Sequence, residues 1–449
     1  VIRSSGMGKK KKREEEVPVI REKKRKNTFA FLDKQFDSLD LATVKRHIVI
    51  LIIAALITKF VVIIATGSVF HSFIDLFDIG YYYEHALPLL QGQIPYVNYQ
   101  VDYPVLVFVP ITIALVPATI AQNVMVFVYT FQLLMVLCDL MSLVCIYLIA
   151  LKIWNEKTAL IAGLVYATAF STAYFVLTKY DAFPTMLLML AVLFTVYGKS
   201  MQGYIFAVIG FFAKMFPVIA VPFMILHNAK STSIKQEIFS VVKVAVPLFV
   251  ILFIPIFILH PASINTYLFA TGSGVGVYVN SATYTLYTYI HEIGHLGVSS
   301  DAISLVMYAI MGIVFLLLLY LAYTEKEQNP KKLLKIVLCA IFSLVFFTKF
   351  HSPQYIVWFT PFLCLLISDD LIKIGLFYVT QIFAYIEFPL MFGNYYVNLQ
   401  YVNPVGSASW YLTLIFFTLE YLALLALVFL IIRPHEGFRE RIKKMVSRT

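Results

Sequence analysis

Long apolar runs separated by short polar connections dominate the chain. A helix needs about 20 consecutive apolar residues to cross the hydrocarbon layer of a membrane. Runs that approach this length lie near residues 48–69, 158–177, 184–198, 240–259, 304–323, 334–349, 354–368, 371–388 and 409–432. The pattern therefore predicts an all-α polytopic membrane protein.

Two stretches do not fit a simple series of spans. Residues 104–150 connect loops that we place on opposite sides of the membrane, so we expect an odd number of crossings there, as three short or tilted spans. Residues 203–226 carry Lys214 and Pro217 near their centre, which predicts a helical hairpin that reaches partway into the bilayer. Backbone interrupted at that depth must be surrounded by protein or water. With these stretches, the chain has about 12 predicted transmembrane helices.

Positive charges orient these spans, because Lys and Arg concentrate in cytoplasmic loops. Neither residue type occurs in 60–151, 244–325 or 374–432. These gaps contain the long connections 70–103, 260–303 and 389–407. We therefore place these three connections outside the cytoplasm.

The composition changes the picture only at the two ends. The chain is 60% apolar and 13% charged, with a mean hydropathy of +0.83, whereas soluble domains are about 45–50% apolar and 25% charged. Most of the net charge of +10 comes from residues 1–26 and 433–449. We therefore predict cytoplasmic tails at 1–47, largely disordered to about residue 26, and at 433–449. They flank one transmembrane domain, 48–432, and no nucleic-acid partner is expected.

The first predicted outside loop carries the most informative pattern. Residues 79–91 have helical spacing, and Gly92 suits the position after a helix C-terminus. We predict a short helix lying in the membrane interface. Asp75 and Asp78 stand three residues apart just before it. An acidic group at the edge of the hydrocarbon suggests function, although either residue alone is equally well explained as a helix cap.

A second cluster of polar residues stands near the end of a later span. It runs from Phe347 to Pro361 and includes Lys349, His351, Ser352, Pro353, Gln354, Tyr355 and Trp358. Lys349 and His351 lie at the predicted outer end of one helix, and Pro353 begins the next. An isolated pair of this kind is most simply a snorkelling lysine beside an interfacial histidine.

Both patterns resemble one family. The first loop is similar to that of the GT-C superfamily of membrane glycosyltransferases, where D-x-x-x-Y is followed by a helix, L-L-x-G-x-x-P-Y and Y-P-P-L. The second cluster resembles the K-x-x-S-P-Q-Y-x-x-W-x-x-P motif of mannosyltransferases that use polyprenyl-phosphate-mannose, and a similar motif of the first GPI mannosyltransferase. The first-loop matches are Asp78, Tyr82, Gly92, Pro95, Tyr96, Tyr103, Pro104 and Leu106, with Val105 in place of the second proline.

The resemblance implies a GT-C fold and assigns roles to single residues. Asp78 takes the position of the catalytic base, with Asp75 as the first fallback and Glu84 and Asp102 as further acidic candidates. Lys349 and His351 are expected to balance the donor phosphate. The other expected substrate-binding residues are Gln354, Tyr355, Tyr82 and Tyr103.

Two weaker similarities concern the middle of the chain. Lys179-Tyr180-Asp181 begins a stretch similar to the end of a GT-C span, and Lys214 begins a K-x-x-P pattern. Asp181 falls on the outside in our topology, where we expect it to face the same cavity. For Lys214, pairing with a lipid phosphate and burial beside a carbonyl are equally good explanations.

The implied reaction moves a hexose, mannose by this resemblance, from a polyprenyl- or dolichyl-phosphate donor to a glycolipid or glycan acceptor. The implied location is the cell membrane, or the endoplasmic reticulum in a eukaryote, with membrane lipids as further partners. The sequence requires no cofactor and predicts no metal ligand, although dependence on a divalent metal stays open.

Two rival functions remain. A flippase or transporter of lipid-linked sugars would use the same charged groups for binding without chemistry. A zinc metalloprotease is suggested by the H-E-x-x-H pattern at His291, Glu292 and His295, whose histidines would share a face if the segment were helical. The pattern lacks a third ligand in the expected continuation. We rank it below the other two functions.

Overall fold

A computed structural model describes residues 41–71, 74–263, 276–391 and 405–433. Residues 1–40 of the predicted tail 1–47, residues 434–449 of the predicted tail 433–449, and most of the 389–407 connection lie outside the described residues. The chain divides into two compact units, Val1–His47 and Ile48–Thr449. In the described part the regular structure is helical, and the all-α class is confirmed.

The α-helices are labelled in chain order. They are α1 Leu41–Ile64, α2 Phe77–Ala86, α3 Phe108–Ala121, α4 Val124–Ile153, α5 Glu156–Ala167, α6 Phe170–Thr178, α7 Ala182–Val196, α8 Ser200–Ala213, α9 Val221–Asn228, α10 Ile234–Leu259, α11 Ala282–Tyr287, α12 Ser300–Tyr323, α13 Pro330–Phe347, α14 Ile356–Ile367, α15 Leu371–Tyr385 and α16 Ala408–Ile432.

The longest apolar helices confirm a polytopic membrane protein. Within the described residues, six helices are long and apolar enough to cross a membrane, or seven if α5 and α6, bent by 58°, count as one broken span. The six are Leu41–Val69, Val124–Ile153, Ile234–Leu259, Ser300–Tyr323, Leu371–Met391 and Ala408–Ile432. Several predicted spans are instead shorter apolar helices.

The prediction of three spans within residues 104–150 is wrong, because the structure has two helices there. α3 has 14 residues and α4 has 30, or about 21 and 45 Å at 1.5 Å per residue. Only α4 is long enough to cross. The chain reverses at Gln122, whose φ is 50°, and the Asn123 side chain accepts a hydrogen bond from Met125 N–H to begin α4. One full crossing beside a short helix still gives an odd count.

The helical break predicted near the centre of residues 203–226 is present. α8 ends at Ala213, the backbone is extended at Lys214, and a 3₁₀ turn, Phe216–Ala220, leads into α9. The two arms pack tightly, since a Cβ added at Gly210 would lie 2.9 Å from Cβ of Pro217. This close approach explains why glycine occupies position 210.

The short helix predicted at residues 79–91 is also present. α2 continues into a 3₁₀ turn, Leu87–Gln91, which ends at Gly92 with φ 73°. The buried face of α2 consists of Ile79, Tyr82 and Ala86 and packs on residues of α3 and α4.

Three short helices end inside the bundle at one place. α7 begins after Asp181, α14 begins after Tyr355, and α8 stops before Lys214. α7 and α14 have 15 and 12 residues, and every residue of α14 is buried. Because these helices are too short to cross, their ends bring polar side chains into the protein interior.

Candidate active site

Asp78 lies in the first turn of α2, and its side chain is 22% exposed. Its carboxylate lies 2.9 Å from Nζ of Lys179. Asp75 lies one residue before the N-cap position, Leu76, and its Oδ1 accepts a hydrogen bond of 2.9 Å from Phe77 N–H, the first residue of the helix. Asp75 therefore supports the start of the helix, whereas the Asp78 carboxylate is directed to Lys179.

Lys179 joins the two acidic residues of the first loop. Its Nζ lies 2.7 Å from Oδ2 of Asp75 and 2.9 Å from Oδ2 of Asp78. It follows directly after α6, and on the same helix the Tyr174 hydroxyl accepts a hydrogen bond from Asp75 N–H. Sequence reasoning named Lys179 only as the first residue of the Lys179-Tyr180-Asp181 similarity and gave it no role. The signal that it carried was its place beside Asp181.

Three tyrosine rings form the wall between Asp78 and Asp181. The ring centroids of Tyr82, Tyr103 and Tyr180 are 5.4 to 5.7 Å apart. Burial, followed by the negative charge of Asp78, raises the pKa of Tyr103 far above its usual value, and Asp181 adds to the effect. Both carboxylates therefore lie within electrostatic range of one phenol, which stays a neutral hydrogen-bond donor near pH 7.

Asp181 is fully buried and has two strong partners. Its Oδ1 lies 2.6 Å from Nζ of Lys214 and accepts a hydrogen bond of 2.5 Å from Nε1 of Trp358. The ammonium of Lys214 also lies 4.5 Å from the ring centroid of Tyr180 and 5.8 Å from that of Tyr355. The sequence offered a lipid phosphate or a carbonyl for Lys214. The structure gives it a carboxylate.

The second signature forms the facing side of this cluster. Tyr355 stacks on Trp358 at 3.9 Å, and Phe216 from the hairpin stacks on Trp358 at 4.2 Å. Ser352 donates a hydrogen bond to Oε1 of Gln354. Sequence reasoning matched Trp358 to the motif but gave it no role, whereas the indole N–H fixes Asp181.

A hydrogen bond to its backbone fixes the position of Lys349. Its carbonyl accepts a hydrogen bond of 2.9 Å from Tyr278 N–H in the long loop. Its half-buried ammonium forms no ion pair with any residue that the structure describes. The charge of Lys349 is therefore uncompensated, unlike that of Lys179 or Lys214.

His351 differs from the charged group that the sequence predicts. It is buried, with its ring centroid 5.9 Å from that of Tyr355 and 6.0 Å from that of Tyr421. In the described part of the chain its Nδ1 has no hydrogen-bond partner. Burial lowers the pKa of His351 to about 4. The imidazole is therefore neutral near pH 7 and offers hydrogen bonding rather than positive charge.

The remaining acidic candidates lie at the periphery. Glu84 is exposed on α2, and Asp102 is exposed and accepts a hydrogen bond of 2.9 Å from the Tyr81 hydroxyl. Burial and this contact raise the pKa of Tyr81 to about 12. The structure does not bring either carboxylate into the Tyr82, Tyr103 and Tyr180 wall.

The H-E-x-x-H segment is not a continuous helix. A π-helical turn ends at Ile293, and His295 has φ 51°. The His291 ring stacks on Tyr287 at 4.9 Å, and its Nδ1 contacts the Val298 carbonyl at 3.1 Å. The two histidines thus lack the shared helical face that zinc binding needs. No group of three or more His, Cys, Asp or Glu suited to a metal ion occurs in the described ranges.

Sequence reasoning also missed two buried acidic residues. Glu387 and Glu420 lie within the helices of the two last predicted spans, and Asn280 donates a hydrogen bond of 2.8 Å to Glu387. Acidic residues within apolar runs were the available signal. They belong to a polar cluster beside Tyr421 rather than to the Asp78 site.

Comparisons with known proteins complete these observations. No family model and no curated protein sequence matches the chain. Among solved structures, the chain is similar to the apo form of an oligosaccharyltransferase from Archaeoglobus fulgidus, with 11% identity and a TM-score of 0.43. The match covers 86% of this chain and 55% of that one, so this chain spans about half its length.

Proposed function

We propose that the chain is an inverting membrane glycosyltransferase of the GT-C type. It transfers a hexose, mannose by the resemblance of the second signature, from a polyprenyl- or dolichyl-phosphate donor to a glycolipid or glycan acceptor. One observation carries the proposal. Residues 179–181 join the two signatures, since Lys179 pairs with Asp78 of the first loop while Asp181 holds Trp358 of the second.

Asp78 is the general base of this reaction. Its side chain is 22% exposed, more than that of Asp75 or Asp181, so an acceptor hydroxyl can reach it. Asp78 takes the hydroxyl proton as the oxygen attacks the anomeric carbon, and the bond from that carbon to the phosphate oxygen breaks on the opposite side. The bond electrons leave with the polyprenyl phosphate, and the configuration inverts.

Lys349 stabilises the departing phosphate. Its ammonium is uncompensated among the described residues, and a placed cation lowers the energy of charge that develops in a dry site. Gln354 and Tyr355 supply hydrogen bonds, and His351 acts as a neutral donor or acceptor. Lys214 contributes less net charge because Asp181 balances it.

The proposed topology follows from the lysine and arginine pattern. Both termini lie in the cytoplasm, and the site opens at the opposite face, where a lipid-linked sugar presents its head group. The donor chain lies in the bilayer, so the reaction requires no nucleotide-binding domain. A requirement for a divalent metal is tested by adding a chelator to the transfer assay.

The decisive experiment is Asp78→Asn in the purified full chain, assayed with radiolabelled polyprenyl-phosphate-mannose and membrane glycolipid. Loss of a general base is expected to lower the rate about 10²- to 10⁴-fold without changing the melting temperature. Asp301→Asn is the matched control, since Asp301 is an exposed aspartate in the first turn of α12.

Normal product formation by the Asp78→Asn variant would overturn the role of Asp78. The rival function gives a different result with the wild-type chain. A flippase would move the labelled lipid across a vesicle membrane and yield no new glycolipid.

A further inference from the structure

One lysine serves two carboxylates beside the proposed base. Lys179 lies within hydrogen-bonding distance of both Asp75 and Asp78 and is itself buried. Two carboxylates and one ammonium give this triad a formal charge of −1. Its Nζ also lies 5.6 Å from the ring centroid of Phe388, which adds attraction but no balancing charge.

The two carboxylates are held differently. Asp75 is buried and is tied by Phe77 N–H on its side chain and by the Tyr174 hydroxyl on its backbone. Asp78 is more exposed, and within the described residues its carboxylate contacts only Lys179. Asp75 is therefore the fixed partner of Lys179, and Asp78 is the partner that is free to react.

We infer that Asp75 is a positioning residue that keeps Asp78 basic by neutralising Lys179. The inference rests on the proposed function. When Asp78 accepts a proton, the triad changes from −1 to 0 and Lys179 remains paired with Asp75. Without Asp75, the same step would change it from 0 to +1 and leave a buried ammonium without a balancing charge. Opposite charge at this distance favours the ionised form of a carboxyl group, so an unshared Lys179 would weaken the base.

Other titratable groups around Asp78 leave this balance unchanged. Burial raises the pKa of Tyr82 and of Tyr103, so both phenols stay neutral. Asp181, which also acts on these phenols, is balanced by Lys214. The thiol of Cys138 on α4 packs against the same apolar cluster and carries no charge near pH 7. The charges that decide the basicity of Asp78 are therefore those of Asp75 and Lys179.

The test is the pH dependence of kcat/KM for sugar transfer by the full chain in nanodiscs. In Asp75→Asn, Lys179 acts on Asp78 alone. The acidic limb of the profile, where kcat/KM falls as Asp78 takes up a proton, is expected to move to lower pH by about one unit. In Lys179→Met, two carboxylates face each other, and the limb is expected to move up by a similar amount. The double variant, Asp75→Asn with Lys179→Met, removes one negative and one positive charge. Its acidic limb is expected to lie within about half a pH unit of the wild-type position.

A purely structural role would lower the rate of both single variants without opposite shifts. Unshifted limbs, or limbs shifted in one direction, would overturn the inference. Asp75→Glu keeps the negative charge and is expected to leave the acidic limb in place. If Lys179→Met does not fold, the comparison of Asp75→Asn with Asp75→Glu tests the inference. A wild-type chain that makes no product would contradict the proposed function instead, which distinguishes the two failures.

Discussion

Two buried lysine–aspartate contacts in this molecule have similar distances and opposite characters. Lys59 on α1 and Asp139 on α4 lie 2.5 Å apart, and the Tyr166 hydroxyl donates a hydrogen bond of 2.6 Å to the other oxygen of Asp139. Their side chains are only 7% and 3% exposed. Charges match one to one, and both carboxylate oxygens are satisfied.

The Lys179 triad departs from this pattern in each respect. It contains one carboxylate more than ammonium groups, and Asp78 is 22% exposed. The sealed pair, Lys59–Asp139, is balanced in charge and shielded from solvent, so it holds helices together. The Lys179 triad carries an excess negative charge and is partly accessible, so Asp78 can interact with a reactant. Ionic contact alone therefore does not distinguish the two sites, whereas charge balance and exposure together support the proposed role of Asp78.

The largest effect that tests this comparison is expected at the sealed pair. Asp139→Asn leaves the Lys59 ammonium buried without a counter-charge, which costs about 3–5 kcal/mol of stability. Asp139 is paired with Lys59 and Tyr166 rather than with Lys179 or Lys214, so the protein that folds is expected to keep its transfer rate. Thermal unfolding and specific activity per folded molecule measure both quantities.

A double replacement provides the control for the sealed pair. Lys59→Met combined with Asp139→Leu removes both charges, and such apolar replacements are often neutral or stabilising. Reduced transfer by this stable double variant would show that the sealed pair does more than join helices.

A smaller effect is expected for Lys349→Ala. Loss of the uncompensated ammonium is expected to lower kcat/KM for the phosphate-linked donor about 10- to 100-fold, or about 1.4–2.7 kcal/mol, with stability nearly unchanged. Donor kinetics of the variant measure this loss. If donor kinetics were unchanged, Lys349 would have no part in phosphate binding. Lys326→Ala, at an exposed lysine beyond α12, is the matched control.

The smallest effect concerns His351, whose pKa burial lowers from 6.5 to about 4. Between these values the unfolded chain binds the proton and the folded chain does not, so stability falls as the pH falls from about 6.5 to 4. The loss between pH 7.5 and 5.5 is about 1 kcal/mol. His351→Gln is expected to flatten this part of the melting profile. An unchanged slope would show that the pKa of His351 is the same in the folded and the unfolded chain.

Much of the architecture followed from the sequence. The spacing of apolar residues predicts the long spans and the α2 helix, and Lys214 with Pro217 predicts the hairpin. The number of helices in residues 104–150 could not be predicted in this way, because hydropathy measures apolar content and does not show where a helix begins. The Asn123 cap and the positive φ of Gln122 set that boundary locally.

The candidate site could be predicted from the sequence only in part, because motifs are local whereas contacts between them are not. The sequence points to Asp78, Asp181, Lys214 and the second signature as separate motifs. It does not show that Lys179 is shared by two carboxylates or that Trp358 donates to Asp181. Those contacts join residues that are far apart along the chain.

By itself, the sequence determined that this is an α-helical membrane protein whose long predicted outer loops lack Lys and Arg, since apolar run length and charge position are local properties of the chain. Only the tertiary structure decided which charges are balanced. Lys214 is paired, Lys349 has no ionic partner among the described residues, and Asp78 is the partly exposed member of a triad. Ion pairing depends on distances of 3–4 Å between side chains, and folding alone sets those distances.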